Sequence, residues 1–137
     1  MNIYLVGGAV RDELIGREIK ERDWVVVGST EKDLLAENFK KINSKFPVFL
    51  HPKTKEEYAL ARKEKKVSLG HQGFKFIFDA SVTIEDDLKR RDFTMNAIAK
   101  KDNGELIDPF SGVADIKNKL IKHVSEFFTE DPLRVFR

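Results

Sequence analysis

Two carboxylates precede a short apolar run near the start of the chain. Glu21 and Asp23 stand just before Trp24–Gly28, in which a tryptophan and three valines end at a glycine. Such a run predicts a mostly buried strand, and alternation along a strand would put both carboxylates on one side. Mg²⁺ takes one or two carboxylates together with substrate phosphates. The pair is therefore a candidate metal clamp for phosphoryl or nucleotidyl transfer; the alternative is two solvated charges where a strand begins.

A double glycine, Gly7-Gly8, separates a short apolar run from a helical pattern. Val10 and Leu14 have the spacing of one helix face, so the sequence predicts a strand, a turn and a helix. Glycines let the backbone approach a phosphate closely, and Arg11 could add a fork of donors. A plain tight turn explains the glycines equally well.

A third group of polar residues follows a predicted helix start at Thr83, where Asp86 completes a capping pattern. Arg90 and Arg91 then stand beside Asp92, with Asn96 close behind. Adjacent arginines are suited to clamp a triphosphate, and an Asp with an Asn can read a sugar hydroxyl. The alternative is a helix end at which basic residues favour the dipole.

Local patterns place the elements that must position these groups. Another capped helix is predicted at Thr30 with Asp33, and Asn103-Gly104 predicts a tight hairpin. Further predicted strands lie at 3–6, 46–50, 57–62, 97–101 and 105–107, and a further helix begins after the turn 108–112. The basic, glycine-containing segment 62–75 predicts a mobile loop suited to a phosphate backbone.

Composition describes one folded domain. The chain has 137 residues, of which 41% are hydrophobic and 35% charged, and a net charge of +2. It contains no cysteine, which excludes disulfides, thiolate zinc sites and cysteine nucleophiles. Neither a signal peptide nor a membrane span is predicted, so we expect a cytoplasmic protein without a membrane partner.

The last predicted helix opens at Thr129, a good N-cap. Three charged residues spaced by three share one face of it: Asp131, Arg134 and Arg137. The sequence stops inside this helix. We therefore expect the natural protein to continue.

Taken together, five motifs in order resemble those of class II tRNA nucleotidyltransferases, the CCA-adding enzymes, in their gammaproteobacterial form; bacterial poly(A) polymerases share much of the pattern. The motifs are Gly7–Asp12, Glu21–Trp24, Arg90–Ala97, Asp108–Gly112 and Glu130–Arg134. The resemblance implies an α+β fold: a polymerase-β-like nucleotidyltransferase palm, with a small mixed sheet and helices on one side. It assigns residues 1–125 to this head domain and residues 126–137 to the start of a helical neck.

The same resemblance implies Mg²⁺-dependent addition of C and A, from CTP and ATP, to the 3′ end of tRNA. Catalytic carboxylates match at Glu21 and Asp23, which would hold the metal, and at Glu57. The triphosphate-binding turn matches at Gly8 and Arg11. The other implied nucleotide contacts are Arg91, Asp92 and Asn96 for the nucleotide and its ribose, Asp131 and Arg134 for the base edge, and Arg137.

One residue departs from the pattern of that family. The family has Asp at both metal positions, whereas this chain has Glu21 at the first. Since Mg²⁺ geometry is strict, we expect weakened turnover. Two alternatives remain at this stage: a catalytically impaired nucleotide-binding fragment, and the head of a poly(A) polymerase.

Overall fold

A mixed sheet of seven strands organises the chain. The computed structural model describes residues 1–43, 48–66, 74–119, 121 and 124. The strands within those residues are β1 (Asn2–Val6), β2 (Asp23–Val27), β3 (Lys40–Asn43), β4 (Val48–Leu50), β5 (Glu57–Leu60), β6 (Lys63–Lys66), β7 (Phe74–Ile77), β8 (Ala99–Lys101) and β9 (Leu106–Ile107). Seven of them lie in the order β3-β4-β5-β2-β1-β8-β9, and β6 pairs with β7 in a separate sheet.

The helices are short, and their starts follow the predicted caps. They are α1 (Gly8–Leu14), α2 (Glu31–Ala36), α3 (Ile84–Lys89), α4 (Gly112–Lys117) and a 3₁₀ turn at Thr94–Asn96. Reciprocal capping boxes begin α2 and α3, with Thr30 paired to Asp33 and Thr83 paired to Asp86. Each box satisfies backbone N–H groups that the first turn leaves unpaired, so the predicted helix starts are confirmed.

Alternation along the central strands divides the core between the two faces of the sheet. Tyr4 and Val6 pack with Leu88 of α3 in one apolar cluster. Leu5, which points the other way, packs with Val10 of α1 in another. The mixed sheet with helices is confirmed. As predicted, α1, α2 and α4 lie on one side of the sheet. In contrast, α3 covers the opposite face, where its apolar side chains pack with Tyr4 and Val6.

The strand pairings bring several chain segments to one end of the sheet. The antiparallel partner of Val6, the last residue of β1, is Asp23, the first residue of β2. Glu57 opens β5 beside Asp23 in the parallel pairing. Val6 also pairs with Ala99, the first residue of β8. The turn after β1, the starts of β2 and β5, and the segment before β8 therefore meet at one edge.

The basic segment 62–75 differs from its prediction. Lys63–Lys66 and Phe74–Ile77 form a hairpin rather than a loop, with Lys66 paired to Phe74; residues 67–73 lie outside the described part. Lysine and glutamate are depleted in strands, but pairing with a β-prone partner overrides local propensity. The prediction failed because that partner lies downstream in the sequence.

Candidate active site

The acidic edge of the sheet forms where β2 and β5 begin. Asp23 and Glu57 are direct neighbours across the parallel pairing. Glu21 lies before β2 and not within it. The predicted alternation along a strand therefore does not determine the side on which Glu21 lies. It nevertheless lines the same surface cavity as Asp23 and Glu57. The structure thus brings the three predicted carboxylates to one edge.

That cavity has a volume of about 300 Å³ and a charged lining of both signs. Its lining residues are Lys20, Glu21, Arg22, Asp23, Lys55, Glu56 and Glu57. Nε1 of Trp24 donates a hydrogen bond of 3.3 Å to Glu56, and Arg22 lies 4.0 Å from the other oxygen of that carboxylate. A cavity with this lining can take a cation and a polyanion side by side.

The pKa of Asp23 depends on its burial and on two neighbouring charges. Desolvation at the sheet edge raises its pKa, the Arg91 guanidinium lowers it, and the neighbouring Glu21 carboxylate raises it again. Arg91 is thus within electrostatic reach of the acidic edge, although it lies far away in the sequence. A cation bound near Asp23 and Glu21 would relieve their repulsion and favour the ionised carboxylates.

The glycine turn lies between two guanidinium groups. Gly7 has a φ of 69°, in the left-handed region, which glycine adopts without strain. A Cβ at Gly7 would lie 3.5 Å from Nη1 of Arg91, and one at Gly8 would lie 3.3 Å from Nη2 of Arg11. Because the turn has no side chains, both arginines can lie close against its backbone.

A chain of hydrogen bonds connects three more of the predicted residues. Arg11 donates through Nη1 to Oδ1 of Asn96 at 2.9 Å. Asn96 in turn donates through Nδ2 to Oδ1 of Asp92 at 3.1 Å, and the same oxygen accepts from the backbone N–H of Phe93 at 2.7 Å. Residues from α1 and from the 3₁₀ turn are therefore locked together, although more than eighty positions separate Arg11 and Asn96.

One buried residue near the site, Asp87, was not predicted from the sequence. This fully buried carboxylate accepts from Nη2 of Arg91 at 3.1 Å and from Nη2 of Arg90 at 3.4 Å. It also accepts from the backbone N–H of Arg62 at 3.1 Å. Arg90 and Arg91 follow Asp87 by three and four residues, a spacing that favours ion pairs along a helix. This spacing could have indicated the contacts from the sequence.

Burial affects the pKa of two of the arginines near Asp87. The pKa of Arg90 is lowered to about 10, mainly by burial and to a smaller extent by the nearby Arg91 and Arg62, while the Asp87 carboxylate opposes this shift. Burial likewise lowers the pKa of Arg62. At both arginines the Asp87 carboxylate counters part of the effect of burial on the pKa.

A comparison with known families assigns the chain to one of them. The sequence profile described as the poly(A) polymerase head domain matches residues 3–122. The chain belongs to the poly(A) polymerase head domain family. The matched span includes the glycine turn, the acidic edge and the arginine cluster, and it stops before the predicted last helix.

Curated relatives place this head domain within longer proteins. The chain is 57% identical over 137 residues to the CCA-adding enzyme of Coxiella burnetii (strain RSA 331 / Henzerling II), covering 100% of this chain and 36% of that protein. Across the first relatives, the chain spans between 34% and 36% of their length. The resemblance to CCA-adding enzymes is therefore confirmed.

Solved structures show the same fold. The CCA-adding enzyme of Bacillus stearothermophilus in complex with CTP is 35% identical, with a TM-score of 0.75, and the match covers 98% of this chain and 33% of that one. A tRNA nucleotidyltransferase complexed with a primer tRNA and an incoming ATP analog is 32% identical, with a TM-score of 0.71, covering 99% of this chain and 40% of that one. The head domain described here is thus a nucleotidyltransferase palm.

The acidic edge of the head domain fits a divalent metal in donor type. Carboxylate oxygens are hard ligands, and one or two of them with substrate phosphates suffice for Mg²⁺. Over residues 1–43, 48–66, 74–119, 121 and 124, no three His, Asp or Glu side chains are close enough to hold a metal together. Glu21 and Asp23 therefore fit as a pair, and Glu57 lies beside Asp23 without completing a set of three.

Some predictions for the head domain concern residues outside the described part of the chain. Asp131, Arg134 and Arg137 are among them, as is the proposed neck at 126–137. The boundary at residue 125 therefore stays a prediction. Within the described ranges, none of the helices has the length and apolar character needed to cross a membrane.

Proposed function

We propose that the chain is the catalytic head of a CCA-adding nucleotidyltransferase, which adds C and A to the 3′ end of tRNA from CTP and ATP. The observation that carries this proposal is the approach of Arg91 to both the Gly7-Gly8 turn and Asp23. A triphosphate group and a metal-binding carboxylate must be neighbours for nucleotidyl transfer. The relatives that bind CTP, an ATP analog and tRNA support this substrate class.

The metal in this proposal is Mg²⁺, held by Glu21 and Asp23. When bound, it would activate the attacking hydroxyl and stabilise the charge that develops on the phosphate. Glu57 is close enough to Asp23 to influence its position, since the two open adjacent parallel strands. The raised pKa of Asp23 agrees with this role, because a cation would offset the desolvation and the repulsion from Glu21.

The other residues bind and orient the nucleotide. Arg91 and Arg11 flank the glycine turn and supply donors for the triphosphate. Asp92 and Asn96 are fixed by their own hydrogen bond and meet the ribose. The 3′ hydroxyl of tRNA then loses its proton to solvent as its oxygen bonds to the α-phosphorus. The bond from that phosphorus to the bridging oxygen breaks, and pyrophosphate leaves with that electron pair.

Base selection belongs to the last predicted helix in this proposal. Asp131 and Arg134 would offer an acceptor and a fork of donors to the edges of C and A, and refuse G and U. Arg137 would add a further contact. An enzyme that completes tRNA works where tRNA is matured and used, so we place it in the cytoplasm.

The deciding experiment is the incorporation of labelled CTP and ATP into tRNA that lacks its C-C-A end. We expect a Mg²⁺-dependent product longer by a defined C-C-A, at a low rate. The matched control is Asp23→Asn, which keeps the size of the side chain and removes a candidate metal ligand. Equal incorporation by the control would contradict the proposed metal site.

The same assay separates two other candidates. The family description itself favours a poly(A) polymerase head, which would produce a long A tract in place of C-C-A. The chain spans only 34% to 36% of the length of its relatives. This favours the other candidate, a nucleotide-binding fragment without turnover. That fragment would bind CTP and leave the tRNA unchanged.

A further inference from the structure

Asp87 forms ion pairs with Arg90 and Arg91 and has no role of its own in the proposed reaction. Its side chain is 1% exposed, whereas the side chains of Arg90 and Arg91 are 16% and 19% exposed. Burying a carboxylate is costly unless it is paired and hydrogen-bonded. The backbone N–H of Arg62 and the two guanidinium groups supply those partners.

Arg91 faces in two directions from this anchor. Its Nη2 donates to Oδ1 of Asp87 at 3.1 Å, which is the shorter of the two arginine contacts to that carboxylate. Its Nη1 lies 3.5 Å from where a Cβ of Gly7 would be. The carboxylate therefore holds one side of the guanidinium while the other side lies against the glycine turn.

We infer that Asp87 is a positioning residue, which holds Arg91 in the orientation that meets the phosphates of the nucleotide. This inference rests on the proposed function. An arginine side chain has many rotamers, and fixing it in advance removes an entropy cost from binding. Asp87 is buried and bonds Nη2, whereas the glycine turn lies near Nη1, so Asp87 acts through Arg91 and not on the nucleotide itself.

The substitution Asp87→Asn distinguishes two effects of Asp87 on CTP binding: its orientation of Arg91 and its negative charge. Removing a negative charge near a phosphate site would tighten anion binding if charge alone mattered. Loss of positioning instead predicts CTP binding weaker by about tenfold, with little change for cytidine, which has no phosphate. The matched control is Asp86→Asn in the same helix, which removes the same charge from the cap and leaves Arg91 anchored. Unchanged or tighter CTP binding by Asp87→Asn overturns the inference.

A second comparison excludes a general loss of structure. If Asp87 acts through Arg91, then Asp87→Asn adds no further loss of CTP affinity in an Arg91→Ala background. A merely structural role would weaken binding further in that background, and this outcome overturns the inference. Titration of the unaltered 137-residue chain with CTP tests the proposed function first. If that chain does not bind CTP, both the function and the inference fail; if it binds and only the Asp87 result fails, the function stands.

Nuclear magnetic resonance of the unaltered chain covers the case in which Asp87→Asn does not fold. An anchored Arg91 is expected to show separate, slowly exchanging Nη signals that shift when tripolyphosphate is added. The exposed Arg17 serves as the control and should show averaged signals. Averaged Arg91 signals, or signals that tripolyphosphate does not move, would overturn the inference.

Discussion

At the scale of the residue, Glu21 is the side chain whose length matters most. Its extra methylene moves the carboxylate oxygens relative to Asp23, while Mg²⁺ demands nearly octahedral geometry. Displacements of about an ångström can cost about 100-fold in rate. We expect Glu21→Asp to raise nucleotide incorporation, by up to about that factor.

The measurement is single-turnover incorporation of labelled CTP at saturating Mg²⁺. Glu18→Asp is the matched control, because Glu18 is exposed and does not line the cavity. Equal rates for the Glu21→Asp variant and the unaltered chain would show that the first metal position tolerates the longer side chain.

Asp23 illustrates a conflict between function and stability. Its folded-state pKa is raised by desolvation and by Glu21, so its ionised form is less favourable in the folded chain than in the unfolded one. The resulting destabilisation is absent below the ordinary aspartate pKa and develops as pH rises through the folded value. We expect Asp23→Asn to raise the melting temperature at pH 7 in EDTA.

Thermal melts at pH 7 with EDTA and with Mg²⁺ check this expectation. Mg²⁺ should raise the melting temperature of the unaltered chain more than that of the variant, because binding to the folded state stabilises it. Asp102→Asn, in the exposed turn between β8 and β9, is the control. A lower melting temperature for Asp23→Asn in EDTA would contradict the argument.

At the scale of the element, the contact between α4 and the 3₁₀ turn holds Asn96 in place from behind. A Cβ at Gly112 would lie 2.1 Å from the backbone oxygen of Thr94, a contact that only a backbone shift could relieve. Thr94 also donates its hydroxyl to the buried Asp115 at 2.6 Å. The position of the 3₁₀ turn thus depends on close approach at Gly112.

We expect Gly112→Ala to lower the free energy of unfolding by about 1–3 kcal/mol. The smaller backbone freedom of alanine in the unfolded chain would by itself stabilise the fold by about 0.4–1 kcal/mol, so the sign of the change separates the two effects. Denaturant unfolding measures it, with Ala114→Gly as a control that alters the same helix at an exposed position. Stabilisation by Gly112→Ala would show that α4 moves away without cost.

Two helices with local signals were predicted correctly, and a hairpin without such a signal was not. The helices α2 and α3 begin at their predicted capping boxes, because a cap involves residues only three apart. The hairpin of β6 and β7 was predicted as a loop, since Lys63–Lys66 has no strand propensity of its own. Its pairing partner begins at Phe74, beyond the reach of a local pattern.

At the scale of the whole molecule, the head domain represents only part of its relatives. It spans 34% to 36% of their length. Affinity for a nucleic acid grows with the number of phosphates contacted. We expect this chain to bind tRNA weakly, with an affinity that falls steeply as salt rises.

Titration of labelled tRNA at several salt concentrations tests this expectation. A duplex RNA of equal length and charge is the control for non-specific binding. A complex that prefers tRNA and persists at high salt would show that the head alone recognises the shape of tRNA.

By itself, the sequence determined much of the local structure around the candidate site and predicted its chemistry. The types and spacing of Glu21, Asp23, Arg91 and Asn96 indicated a metal and a triphosphate, since those side chains carry the required oxygens and donors. The tertiary structure alone decided which residues meet. Sheet pairing brought Asp23 beside Glu57, and burial made Asp87 the anchor of Arg91, because a buried carboxylate takes its partners from whichever segments the fold places around it.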